Sequence, residues 1–245
     1  MMEKIELLTK LFKEIGIELT NYQCKQFQQY YEMIIERNKV MNLTSITEYK
    51  EVLVKHFIDS LSIIRVIDFN KNLKVIDVGT GAGFPGIPLK IIFPHLELVL
   101  LDSLNKRIKF LDDVIDELEL NNKEFGSIKT IHGRAEDFGQ NHDYREKFDL
   151  SVSRAVANLS TLSEYCLPFV KTGGFFVSYK AGNIEDEVKD AKNSVKTLGG
   201  EFLEINSFQL PLSDIDRNLI KIRKKSKTPK KFPRNPGKVK NNPII

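Results

Sequence analysis

Val75-Ile-Asp-Val-Gly-Thr-Gly-Ala-Gly-Phe-Pro-Gly86 is an apolar strand that runs into a glycine loop and then into the start of a helix. Glycines at 79, 81 and 83 allow positive φ and a close backbone approach to a ligand, and Pro85 pre-sets φ for the first helical turn. A second apolar run, Glu97-Leu-Val-Leu-Leu-Asp102, ends on an acid, the place from which a carboxylate holds ribose hydroxyls in a doubly wound sheet. Together these features specify a nucleotide-type cofactor pocket. The spacing Gly81-x-Gly83-x-x-Gly86 also fits the dinucleotide fingerprint, so the loop alone leaves the cofactor open.

Outward from the loop, strand and helix patterns alternate. Strands are predicted at 74–79, 97–102, 128–132, 148–153 and 174–179, with helices at 86–93, 105–119, 158–169 and 184–197. Such alternation implies an α/β fold with a doubly wound, mostly parallel sheet covered on both faces. Two further strands, 201–208 and 217–223, have no helix between them and are expected to pair antiparallel at one end, giving seven in all. That ending resembles the Rossmann-like methyltransferase sheet more than a nicotinamide domain. Upstream, apolar stripes predict helices at 3–14, 20–37 with Thr20 as cap, and 50–66, joined by a polar link over 38–46 that closes over the domain. The chain thus divides into an N-terminal helical extension (1–70), a cofactor-binding domain (71–223) and a basic, proline-containing tail (224–245).

The chain has 245 residues, 41% of them hydrophobic, enough for the core of one such domain. Cys24 and Cys166 lie far apart and show no metal-ligand spacing, which predicts two buried thiols and no metal site. No apolar run reaches membrane-spanning length, and a soluble cytoplasmic protein is expected. The net charge of +4 is unevenly placed: residues 221–245 hold ten Lys or Arg and no acid, leaving 27 basic against 33 acidic residues before them. Pro229, Pro233 and Pro236 oppose regular structure there. Composition admits two readings of this tail, a solvated end or an arm whose cations contact nucleic-acid phosphates.

Asp77 bears on the cofactor. A carboxylate just ahead of the loop repels a pyrophosphate and suits a ligand carrying an ammonium group, which favours S-adenosylmethionine over a nicotinamide or flavin. Ligands of doubly wound sheets sit outside the carboxyl ends of the strands, so those ends name the site: Asp77, Gly79, Gly81 and Phe84 from strand one, Asp102 and Ser103 from strand two, Ala135 and Glu136 after strand three, Arg154 after strand four and Lys180 after strand five. Phe84 is expected to pack along the cofactor, and Ala135 with Glu136 to bracket the adenine. Ser151-Val-Ser-Arg-Ala-Val-Ala carries neither the Asn/Asp-Pro-Pro-aromatic motif of exocyclic-amine methylation nor the nucleophilic cysteine of cytosine-C5 methylation. An acceptor with an accessible lone pair, such as guanine N7, needs no base, and in-line placement supplies the acceleration. Arg154 and Lys180 are then the cations nearest the reacting base, in positioning rather than acid–base roles. His56 and Asp59, three apart on one helix face, read as a structural contact.

Seven segments carry a resemblance: Asn38-Lys-Val-Met-Asn-Leu-Thr-Ser, His56-Phe-Ile-Asp-Ser-Leu, Asp77-Val-Gly-Thr-Gly-Ala-Gly-Phe-Pro-Gly-Ile-Pro-Leu, Leu101-Asp-Ser-Leu-Asn-Lys-Arg, Gly133-Arg-Ala-Glu, Ser153-Arg-Ala-Val-Ala and Thr228-Pro-Lys-Lys-Phe-Pro-Arg. In them the chain resembles the RsmG family of bacterial small-subunit ribosomal RNA guanine-N7 methyltransferases, also called glucose-inhibited division protein B. The resemblance implies methylation of N7 of one guanine in the 530 loop of 16S ribosomal RNA, alone or in the small subunit, with S-adenosylmethionine as donor and no obligate protein partner. It implies cofactor contacts at Gly79, Phe84, Asp102, Ser103, Leu104, Ala135, Glu136 and Arg154. The competing readings are a dinucleotide-dependent oxidoreductase and a non-catalytic RNA-binding protein.

Overall fold

The computed structural model describes residues 2–121, 126–154 and 157–244, so Ala155 and Val156 of the Ser153–Ala157 motif lie outside the described residues. The chain begins with two helices, α1 (Met2–Glu14) and α2 (Asn21–Met41). Thr20 caps α2 in a reciprocal capping box with Gln23. The single helix expected over 50–66 is a rod of changing pitch: α3 (Tyr49–Val52), a π-helical turn (Leu53–Ile58), α4 (Asp59–Leu61) and a 3₁₀ turn (Ser62–Arg65). In the π turn the Asp59 N–H reaches the Val54 carbonyl, five residues back.

The rest is β1 (Lys74–Val78), α5 (Gly86–Ile92), β2 (Glu97–Asp102), α6 (Asn105–Glu117), β3 (Ile128–His132), α7 (Ala135–Gln140), β4 (Phe148–Arg154), α8 (Leu159–Cys166), β5 (Val170–Ala181), α9 (Glu185–Thr197), β6 (Gly200–Gln209), β7 (Asp216–Lys224) and α10 (Pro236–Asn241). The seven strands form one sheet in the order β3-β2-β1-β4-β5-β7-β6. β1 to β5 pair in parallel, and β7 pairs antiparallel with both β5 and β6, as the sequence implies. The six-residue α7 was not expected, being too short to show a helical stripe.

Period-2 alternation gives the sheet two apolar faces. Val75, Leu98, Leu100, Leu150, Val152 and Val177 share a core with Phe12, Phe27, Tyr30 and Phe57 of the N-terminal helices and with α5 and α6. Ile76, Val78, Val99, Leu101, Phe176 and Ile222 face the other way, onto Leu159, Leu162 and Cys166 of α8 and Ala191 and Val195 of α9. Both cysteines are buried.

The tail is not the solvated end that one sequence reading allows, although Lys225, Lys227, Lys230, Lys231, Lys238 and Lys240 stay exposed. Phe232 joins the second core and Val239 of α10 is fully buried. Lys224, fully buried, donates to the Leu167 carbonyl and the Thr228 hydroxyl at 2.5 and 2.6 Å. Arg234 makes a forked pair with Glu164, and Arg145 gathers the carbonyls of Gly139, Thr228 and Phe232. Tertiary acceptors fix a segment that local composition marks as irregular, and Pro236 opens a helix instead of preventing one, because a helix's first turn needs no N–H from it.

Candidate active site

The glycine loop is seated on the end of β2: the N–H groups of Gly79 and Thr80 donate to the Leu101 carbonyl at 2.8 and 3.1 Å. Gly81 N–H donates to Asp102 Oδ2 at 2.9 Å and Leu104 N–H to Asp102 Oδ1 at 2.9 Å, so one buried carboxylate ties the loop to the β2 turn. From the N-terminal layer, the Tyr30 hydroxyl donates to the Ala82 carbonyl at 2.6 Å.

The glycines do different work. A side chain on Gly83 would strike Ile87 and the Tyr30 hydroxyl, and one on Gly86 would strike Leu100 and Asp77, so both serve packing. Gly81, at φ +64°, has nothing within 4 Å of the place where a Cβ would stand. That open cradle, beside the 42%-exposed apolar Leu104, is the room that an adenosyl ligand needs. Ser103 is exposed on the same turn, and its carbonyl accepts from His132 Nε2 at 3.2 Å.

Asp77 is fully buried. Its Oδ2 accepts from the Thr80 hydroxyl at 2.7 Å and Gly86 N–H at 2.9 Å, while Oδ1 has no partner among the described residues. Burial pushes its carboxyl up to about 7, against these hydrogen bonds. An orphaned buried oxygen that gains by ionising next to a cation fits the ammonium-bearing ligand inferred from its position. Glu136, buried at the start of α7, is raised first by burial, and the Tyr165 hydroxyl bonds its carboxylate; Ala135 beside it is half-buried.

Arg154 leaves β4 on the face of the N-terminal layer and enters the widened π turn. Nη1 donates to the carbonyls of Lys55 (3.2 Å) and His56 (3.4 Å) and to Asp59 Oδ2 (3.1 Å), and Nη2 meets His56 Nδ1 at 3.3 Å. Its guanidinium lies 4.9 Å from the Phe84 ring centroid, and the His56 ring stacks on Phe84 at 4.5 Å and 19°. Phe84 is thereby packed between the N-terminal layer and Arg154. Burial, then the charge of Arg154, lowers His56 to about 3, so its imidazole is neutral. Arg217, at the start of β7, donates from Nε to Asp59 Oδ1 at 3.1 Å. His56 and Asp59 play structural parts, as their spacing suggests, but through Arg154, which each holds separately. Nothing in the sequence marks Arg217 or Tyr30, whose partners are 158 and 52 residues away.

A cavity of about 340 Å³ opens at the carboxyl ends of β4 and β5, lined by Ile46 of the 38–46 link, by His56 and Asp59, and by Arg154, Lys180 and Arg217. Lys180 reaches it differently from Arg154. Arg154 registers with Tyr179, so Lys180 points to the opposite face, where its ammonium is held by the Ala157 carbonyl and Glu187, each at 2.6 Å. A larger cavity of about 670 Å³, near the C-terminal ends of α5 and α6, contains none of the residues named from the strand ends.

A parallel doubly wound sheet that finishes in an antiparallel pair, with its open glycine cradle at the end of β1, places the chain among the Rossmann-like methyltransferases. The fold is shared with the fibrillarin pre-rRNA processing protein of Methanococcus jannaschii, at a TM-score of 0.51 and 17% identity over 66% of this chain and 70% of that one. The chain also matches, over residues 23–220, the family described as GidB, rRNA small subunit methyltransferase G. It is 50% identical to ribosomal RNA small subunit methyltransferase G of Bacillus licheniformis over 240 residues, 98% of each chain. Against the protein of that name from Acetivibrio thermocellus it is 51% identical over 248 residues, the whole of both chains. This chain belongs to the rRNA small subunit methyltransferase G family, which sets aside the oxidoreductase alternative.

Proposed function

We propose that the protein methylates N7 of one guanine in the 530 loop of 16S ribosomal RNA, with S-adenosylmethionine as donor. The donor supplies an electrophilic methyl on a sulfonium. Gly79, Gly81 and Phe84 form the floor of its site, Asp102 takes the ribose, Ser103 and Leu104 line the adenosine, and Ala135 with Glu136 flank the adenine. Asp77 contributes negative charge below the loop. Arg154, stacked on Phe84 and lining the cavity at the end of β4, is the observation that carries the reading: it joins the donor loop to a space where an acceptor base can stand beside it. N7 offers a lone pair, so these residues have to orient and desolvate, with no proton to remove. Lys180 acts by fixing the mouth of that space through Glu187 and Ala157.

The reading places the protein in the cytoplasm with the small ribosomal subunit. Among the described residues no helix is long and apolar enough to cross a membrane. The test is incubation with small subunits from cells that lack this protein, followed by nucleoside mass spectrometry and site mapping. We expect 7-methylguanosine at one position of the 530 loop. A methyl group on another atom, or RNA binding without methylation, refutes the reading.

A further inference from the structure

We propose that Asp59 reads the acceptor base, accepting from the N1–H and N2–H of guanine and offsetting the positive charge that the ring acquires. The inference rests on the N7 reading above and adds the residue that selects guanine. Of the side chains that line the 340 Å³ cavity, four are cationic (Lys55, Arg154, Lys180 and Arg217) and Asp59 is the one acid among the described residues. A cavity of that size takes a single extruded base, read on its Watson–Crick edge.

The Asp59 carboxylate is held rigidly: Arg154 occupies one site on Oδ2 and Arg217 one site on Oδ1, both at 3.1 Å. Each oxygen has a second lone-pair site, so the pair leaves room for two more donors. Guanine presents two donors, N1–H and N2–H, on one edge. Adenine presents a lone pair at N1 and is repelled. N1 and N7 lie on opposite sides of the purine, so a base held at Asp59 turns N7 away from the carboxylate.

The charge balance gives Asp59 its second role. N7 gives its lone pair to the methyl carbon, the sulfur–carbon pair stays on sulfur, and the formal positive charge passes from sulfur to the purine with no proton released. Arg154 and Arg217 oppose that transfer, Lys55 and Lys180 being paired with Glu51 and Glu187, and a carboxylate against N1–H, the proton the cationic ring makes more acidic, counters them.

The experiment uses small subunits reconstituted with 16S rRNA that carries guanosine or inosine at the acceptor position, inosine lacking only the N2 amino group. With wild-type protein, inosine should lower both subunit affinity, measured by filter binding without donor, and kcat/KM by about tenfold or more, the worth of a hydrogen bond to a charged group. Asp59→Asn, which turns one acceptor into a donor, should lower kcat/KM on guanosine about a hundredfold and bring guanosine and inosine within about twofold of each other. A purely structural defect slows both substrates alike and leaves their ratio unchanged. Equal treatment of the two bases by wild-type protein overturns the proposal whether or not the variant folds. So does a folded Asp59→Asn protein that keeps the guanosine preference. Both of those results leave the N7 reading standing, whereas absence of 7-methylguanosine from wild-type reactions on guanosine subunits overturns that reading and this inference together.

Discussion

β7 joins two concentrations of positive charge at opposite ends of the sheet. At its start Arg217, opposite Ala181, shares Asp59 with Arg154 beside an open cavity; at its end Lys224, one residue past the Arg223–Phe175 pair, is sealed in the core with Arg145 and Arg234 close by. The second group is far more conspicuous in the sequence, since it belongs to the acid-free run 221–245. Yet its buried cations are saturated by carbonyls and by Glu146 and Glu164, and they hold chain to chain. Charge density along a sequence therefore does not say which cations are spent on internal contacts. What separates the two ends is whether a cation's partners leave space for a ligand.

The sharpest way to break this contrast is to delete residues 225–245. Phe232 and Ile244 would leave the second core and Lys224 would lose Thr228, so we expect loss of most of a total stability of about 5–15 kcal/mol, seen as a collapsed thermal transition by circular dichroism. A truncated protein that melts normally but binds subunits weakly would restore the arm reading. Next in size, Arg154→Ala should cost about 3 kcal/mol of stability, because it strips one partner from buried Asp59, and at least about a hundredfold in kcat/KM of the folded protein. Wild-type turnover in that variant would remove Arg154 from the site.

Asp77 offers a subtler probe. Its folded pKa of about 7 lies above the ordinary carboxyl value of 3.8, so the folded state binds the proton more tightly and the group costs stability as pH rises through that window. Relative to Asp77→Asn, the wild-type protein should lose up to about 1.4 kcal/mol per pH unit between pH 4 and 7, read by urea titration. Its affinity for S-adenosylmethionine should rise over pH 6–8 by calorimetry while the variant's stays flat; a flat wild-type profile would detach Asp77 from the cation. The smallest effect is expected for Lys230→Ala with Lys231→Ala, exposed positions of the tail: stability within about 0.5 kcal/mol of wild type and a salt slope of subunit binding changed by less than about one charge.

The sheet was legible because hydrophobic periods and turn glycines are local signals: β2 and β3 match their predicted bounds, and β1 and β4 differ by one residue at the carboxyl end. The strand-end rule likewise places Arg154 and the glycine loop at the carboxyl ends of β4 and β1, where the structure has them. It could not see that Lys180, one register step from Tyr179, turns to the other face, since only the pairing with β4 fixes that direction. The π turn was hidden because its apolar residues keep a helical spacing. The packing of the tail is hidden because Lys and Pro report local propensity, while Glu164, Glu146 and the Leu167 carbonyl that capture it are far away in sequence.

The π turn over 53–58 amounts to one residue more than a regular helix accommodates there. Deleting a residue from it would tighten the rod into an ordinary helix, leaving the flanking segments near their present orientation but closing the widened turn whose Lys55 and His56 carbonyls receive Arg154. A change that regularises the turn would therefore improve local backbone geometry while removing the seat of Arg154, so in this chain helix-stabilising substitutions should stop short of residues 53–58.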